Sequence, residues 1–142
     1  MARAVDIAEY ILERFGPMSA WKLQKLVYYS QAWNLVWYDA PLFSERIEAW
    51  ANGPVVRDLY KQHRGEFIVE TVRGDANTLS GIEQSTVETV FGHYGRHTAH
   101  YLSQLTHLEM PWINARAGVP EGVRSTNEIT PDAMHEYYSS LS

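Results

Sequence analysis

The chain contains no cysteine. This removes disulfides, thiolate nucleophiles and cysteine-based zinc sites together, and it suits a reducing cytoplasm. No run of 18 apolar residues is present, so nothing reads as a membrane-spanning helix. The first residues form a charged amphipathic segment without the apolar stretch of a secretion signal, and a soluble cytoplasmic protein is the expectation. Familiar catalytic signatures are missing too: there is no GxSxG, P-loop, GxGxxG after a strand, HExxH or DxD-type carboxylate cluster. Basic residues are scarce, 12 Lys and Arg against 17 Asp and Glu, for a net charge of −5. The imbalance is regional. Residues 1–64 carry eight basic and seven acidic side chains, a balance of +1, whereas 65–142 carry four and ten, a balance of −6. The basic group that remains (Lys22, Lys25, Arg57, Lys61 and Arg64) is too small for generic nucleic-acid binding, and the acidic second half repels phosphate. A basic protein partner, or plain solubility, accounts better for that charge.

Aromatic residues are in surplus. They make up 13% of the 142 residues, with five Trp, and the hydrophobic fraction of 45% suffices for one domain with a substantial core. The sequence WKLQKLVYYSQAWNLVW, residues 21–37, has no Gly or Pro and is apolar almost all round on helical spacing. Leu23, Leu26, Val27, Ser30, Trp33 and Trp37 form one stripe, and Lys22, Gln24, Gln31 and Asn34 are among the polar positions that interrupt the rest. Such a helix is buried, and the other elements are expected to pack around it.

Ahead of it, Ala4, Ile7, Ala8, Ile11, Leu12 and Phe15 give a first helix, stopped by Gly16-Pro17, and Ser19 is the expected cap of the central helix. Ile47 and Ala49 alternate with Arg46, Glu48 and Trp50 as in a short strand, which Asn52-Gly53-Pro54 breaks. Pro54 then suits the first position of a helix running from Val55 to His63. Phe67 to Val72 reads as a second strand that pairs with 45–50. Ser80 with Glu83 matches a capping box, opening a helix with Val87, Val90, Phe91 and Tyr94 inward. A helix over Thr98–Thr106 follows and closes at Met110-Pro111-Trp112. Residues 117–127 read as loop, and Thr130-Pro131 opens a last helix carrying Met134, Tyr137, Tyr138 and Leu141 inward. The expectation is a single, mainly α domain of about six helices around the central one, with a small two-stranded β element.

Two constellations invite chemistry. His93, His97 and His100 are spaced so that one continuous helix would put three imidazoles on a face fit for Zn²⁺, but Gly95 lies inside the spacing, and solvated or capping histidines are the preferred reading. His107 beside Glu109 reads either as an acid/base pair or as a helix-capping histidine next to a solvated carboxylate. No nucleophile or substrate cradle accompanies them, so no catalytic, metal or cofactor site is assigned. Trp21, Lys22, Tyr28, Trp50 and Trp112 cannot all be fully buried in so small a domain, and Trp, Tyr and Arg are the residues that anchor interfaces. A binding module fits the surplus better than an enzyme.

Three ordered motifs, KLQKL-YY, EAW-x-x-GPV and H-x-E-x-PW, give this chain a resemblance to the Panacea domain of SocA-like antitoxins, a family that includes phage-associated GepA-type proteins. It extends from the first helix to Tyr138. What the resemblance implies is an antitoxin that neutralises a cognate protein toxin by direct binding. Family members serve very different toxins, and at least one delivers its toxin to a cellular protease. The first motif corresponds to Lys22, Leu23, Lys25, Leu26, Tyr28 and Tyr29, the second to Glu48, Ala49, Trp50, Gly53, Pro54 and Val55, and the third to His107, Glu109, Pro111 and Trp112. No catalytic role attaches to these positions, and many maintain the fold. The expected partner-binding residues are Trp21, Lys22, Lys25, Tyr28, Trp50, Asn52, Val55, Arg57, His107 and Trp112, and the resemblance implies neither cofactor nor membrane partner.

Overall fold

A computed structural model describes residues 1–142. Helix α1 (Ala4–Phe15) begins where the Asp6 carboxylate turns back to accept the Arg3 backbone N–H at 2.8 Å, and it buries Ile7, Ala8, Ile11 and Leu12. Gly16 ends it with a φ of +92°, a conformation glycine accepts freely. After a two-residue strand, β1 (Met18–Ser19), helix α2 (Ala20–Tyr38) starts with the Ser19 hydroxyl accepting the Lys22 N–H. Every residue from Leu23 to Ala32 is buried. Helices α1, α4 (Gly81–Tyr94), α5 (Ala99–His107) and α7 (Pro131–Ser139) all pack against α2, which is the hub of the molecule. Each fully buried Leu, Ile or Val side chain contributes roughly 1.5–3 kcal/mol relative to exposure, so this one helix supplies a large share of the driving force.

A helix buried all round must satisfy its polar positions internally. The Gln24 side chain accepts the Val56 N–H at 3.0 Å and donates back to the Val56 carbonyl. Gln31 does the same for the 42–43 loop, accepting from the Leu42 N–H at 2.7 Å and donating to the Phe43 carbonyl at 2.8 Å. Asn34 donates to the Ala40 carbonyl and accepts from the Thr86 hydroxyl. Gln24, Gln31 and Asn34 therefore each dock backbone from a neighbouring segment, whereas the buried Lys25 ammonium is left without a hydrogen-bond partner.

The β content differs from expectation. Strand β2 (Ile47–Trp50) pairs with β3 (Gly53–Val55) through a two-residue turn at Ala51-Asn52, and on its other side with β5 (Glu128–Ile129), all antiparallel. Pro54 thus lies in an edge strand opposite Ala49, where its missing N–H costs nothing, and it does not open a helix. The helix that follows, α3 (Arg57–His63), begins at Arg57 instead. The 67–72 segment contributes only β4 (Ile68–Val69), which pairs with β1 and not with 45–50. The two-residue loop makes β3 an entropically cheap partner for one edge of β2, and β5 occupies the other edge, so no edge is left for the 67–72 segment.

Seven helices form rather than six, with one 3₁₀ turn at Ala76–Thr78. Met110-Pro111-Trp112 does not merely close α5 but opens α6 (Met110–Ala115), with Pro in its first turn. The Ser80–Glu83 capping box is present in both directions, and Thr98 and Thr130 cap α5 and α7 with their hydroxyls. Leu141 lies exposed beyond the end of α7 rather than inward. The architecture is mainly α with two small antiparallel sheets, and no helix is long and apolar enough to cross a membrane.

Candidate interaction site

The ten residues singled out above divide by burial. Lys25, Tyr28, Val55 and Trp112 are buried and present no surface to a partner: Lys25, Val55 and Trp112 lie where the β2–β3 hairpin meets α2, α5 and α6, and Tyr28 packs against Tyr29 and against Tyr138 of α7. Trp21, Lys22, Trp50 and His107 are half-buried, and Asn52 and Arg57 are exposed. Trp21 leans on Tyr60 and on the edge of His63, with ring centroids 6.2 and 5.9 Å away. Lys22 is committed internally, its ammonium donating to the Gly95 carbonyl where the C-terminal end of α4 favours a cation.

Trp50, Asn52 and Arg57 come together. They line an open concavity of about 520 Å³ with Tyr60, Lys61, Arg64 and, from the 117–127 loop, Arg124. Arg57, Tyr60, Lys61 and Arg64 follow helical spacing, so one flank of α3 builds this wall. Trp50 projects from the end of β2. Its indole N–H donates at 2.8 Å to Glu48, the Tyr60 ring meets it edge-on at 4.9 Å, and the Arg57 guanidinium lies 5.8 Å from its ring centre. Glu48 also takes Arg57 at 2.8 Å and Arg46 at 3.4 Å. Burial works to raise this carboxyl, but the donors and the two guanidinium charges outweigh it and hold the pKa below the usual carboxylate value.

Behind the hairpin turn lies a second, hidden layer. Gly53 has a φ of +129°, and a Cβ built there would stand 2.4 Å from Lys25 Cε. Only glycine lets the strand pass over that side chain. The Lys25 ammonium is fully buried, lies 5.6 Å from the Trp21 ring centre, and has no hydrogen-bond partner. Desolvation pushes its pKa down to about 8. Trp112 carries His107 stacked at 4.0 Å and the Arg116 guanidinium at 4.8 Å, and its indole N–H donates to the Trp50 carbonyl. Arg116 donates to the Ala49 carbonyl. The three sequence motifs are thus interlocked: the lysine of the first lies under the glycine of the second, and the tryptophan of the third binds the backbone of the second.

Glu109 is remote from this chemistry in kind. Its carboxylate accepts the Tyr29 and Tyr138 hydroxyls, both at 2.8 Å, and Tyr28 contacts Tyr138 at 2.9 Å. Desolvation raises its pKa, against the two tyrosine donors. His107 instead faces Glu121, 3.6 Å from its Nδ1 atom, with its pKa lowered chiefly by desolvation. His107 and Glu109 do not form an acid/base pair. Glu109 is not solvated either: it is the hub of a buried tyrosine cluster.

The three spaced histidines do not share a helix, because α4 ends at Tyr94 and α5 begins at Ala99. No group of His, Asp or Glu side chains is placed to hold a metal ion. His93 and His97 instead border an aromatic hollow of about 350 Å³ formed with Trp33, Trp37, Tyr94 and Tyr101. Sequence reasoning missed it, although Trp33 and Trp37 one turn apart on α2 are the sign that marks it.

Comparison with known protein families gives one match: the model described as antitoxin SocA-like, Panacea domain, fits residues 23–113 of the 142. No curated protein and no solved structure matches.

Proposed function

Because the chain belongs to the SocA-like antitoxin, Panacea-domain family, we propose that it is the antitoxin of a toxin–antitoxin pair and neutralises a protein toxin in the cytoplasm by covering its active site or another essential surface. The observation that carries this reading is the Trp50 cluster: an indole ring held by Glu48, flanked by Tyr60 and Arg57, at the wall of an open concavity. Interfaces are anchored by such rigid aromatic and Arg side chains, and a standard buried area of roughly 1,600 Å² suffices when a few anchors are well seated. The buried members of the motifs support the anchors from behind, and direct contact is left to Trp50, Asn52 and Arg57, with the accessible parts of Trp21 and His107 at the margin.

The test is co-expression with the product of the neighbouring gene. The wild-type chain is expected to restore growth and to co-purify with that product in one-to-one proportion. Trp50→Ala and Arg57→Ala, checked for an unchanged fold by circular dichroism, are expected to weaken the complex by about tenfold or more, a loss of at least ~1.4 kcal/mol. Rescue that disappears in a protease-deficient host identifies a delivery adaptor instead. Rescue at substoichiometric levels identifies an enzyme.

A further inference from the structure

We propose that the Trp50 concavity receives an acidic segment of the partner polypeptide, with carboxylates set along Arg57, Arg64 and Arg124 and an apolar side chain laid against Trp50 and Tyr60. This rests on the antitoxin reading and names the chemistry of the contact. The net charge of −5 suggests a basic partner, but a docking segment does not experience net charge. At physiological ionic strength the screening length is about 8 Å, so the local cluster decides.

That cluster is cationic in two layers. On the wall stand Arg57, Lys61, Arg64 and Arg124. Arg57 is matched by Glu48, and Lys61 has only the exposed Asp58 at 3.9 Å. The Arg64 and Arg124 side chains make no hydrogen bond or ion pair within the chain. Beneath the hairpin, the buried ammonium of Lys25 is unpartnered, and Arg116 Nε is unpartnered too. Buried charges are weakly screened, so both add to the field at the mouth. The carboxylates at hand are Glu48, already shared among Arg46, Arg57 and Trp50, and Asp58 and Glu121, which are solvent-exposed.

Spacing selects the class of ligand. Arg57 and Arg64 are seven residues apart on α3 and its cap, which at a rise of 1.5 Å per residue separates their backbones by about 10 Å. The donors are long side chains spread along one wall, not a nest of backbone N–H groups of the kind that grips a single phosphate. On an extended chain every second side chain faces the same way, so carboxylates two or four residues apart on one face stand about 7 or 13 Å apart at 3.3 Å per residue, a spread that two flexible Arg side chains can meet. A nucleic-acid strand carries comparable spacing, but it would continue past the concavity onto a surface whose 65–142 portion has a balance of −6. A short acidic stretch in an otherwise ordinary protein would not.

The test measures binding of the full chain to fluorescein-labelled hexaglutamate bearing one central tryptophan, with deca-uridylate, pyrophosphate and hexalysine as competing probes. The acidic peptide is expected to bind, to weaken as salt is raised, and to lose about tenfold or more in affinity in the double variant Arg64→Glu with Arg124→Glu. Those two side chains support nothing in the fold, so the melting temperature is expected to stay unchanged. Absence of peptide binding at about 1 mM, tighter binding of deca-uridylate or pyrophosphate, or indifference to the double reversal overturns the inference. In co-expression, a double variant that still rescues refutes the site while leaving the antitoxin reading intact. A wild-type chain that fails to rescue refutes that reading, and the peptide measurement still decides the site.

Discussion

Replacing Lys25 with Met is expected to stabilise the protein. The ammonium is fully buried without a hydrogen-bond partner, and burial lowers its pKa from 10.5 to about 8. At 1.36 kcal/mol per pH unit, carrying the charge at neutral pH costs roughly 3 kcal/mol of folding free energy. The Trp21 face, 5.6 Å away, returns on the order of 1 kcal/mol, leaving about 2 kcal/mol. Methionine has similar length and no charge to desolvate, so Lys25→Met recovers that amount, a rise in Tm of roughly 7 °C for a chain of this size. The dependence on pH is more telling than the magnitude. Below pH 8 both folded and unfolded lysine are protonated, and the penalty is complete. Between about 8 and 10.5 the folded state sheds its proton first, so the penalty fades as pH rises. Denaturant melts of wild type and variant, compared pH by pH, cancel the ionisation of the tyrosines and isolate this one group. The variant is expected to lead at pH 7 and to draw level near pH 10. A variant less stable than wild type at pH 7, or a gap that ignores pH, refutes the reasoning.

Gly53→Ala is expected to cost about 3 kcal/mol or more in the same melts, since its Cβ would stand 2.4 Å from Lys25 Cε at a φ of +129°. Adding Lys25→Ala removes the collision but not the backbone strain, so the double variant recovers only part of the loss. Glu109→Gln retains an acceptor for the Tyr29 and Tyr138 hydroxyls without a charge. Because burial raises the Glu109 pKa above 4.5, the wild-type group stabilises fully when protonated and loses that contribution as pH rises through its folded value. The Gln variant is therefore expected to match wild type at acidic pH and to exceed it at pH 8, as read by thermal melts.

Local signals carried most of the helices. The Gly16-Pro17 stop, the Ser19 cap, the Ser80–Glu83 box and the Thr130-Pro131 start act within one turn, and each appears where the sequence places it. The all-round apolar character of α2 was equally legible, because burial is the one environment that suits it. Strand pairing was not. Whether Ile68 meets Ser19 or the 45–50 segment depends on how α1 and α3 pack, and no local pattern encodes that. Pro54 misled because the same fixed φ serves a helix start and an edge strand. At the concavity, Trp50 and Arg57 stood out by residue type, and Lys61 and Arg64 belonged to the basic group already visible. Arg124 did not stand out, since a loop brings it there from sixty residues away. Trp112 looked like surface adhesive and proved to be core, because the Trp50 carbonyl, Arg116 and His107 claim its edge and face.

The Tyr138 hydroxyl carries a practical lesson for anyone wishing to transplant this domain. The family match runs from Leu23 to Ile113, yet Tyr138, well past that limit, closes the hydrogen bonds of both Glu109 and Tyr28. Trimming to the matched borders would strip the opening turn and cap from α2, expose the faces that α1 and α7 cover, and leave a buried carboxylate short of a donor. The portable unit for fusion or swapping runs from Ala2, which is buried in the core, to Ser140, and so keeps the Arg3 and Ser140 caps.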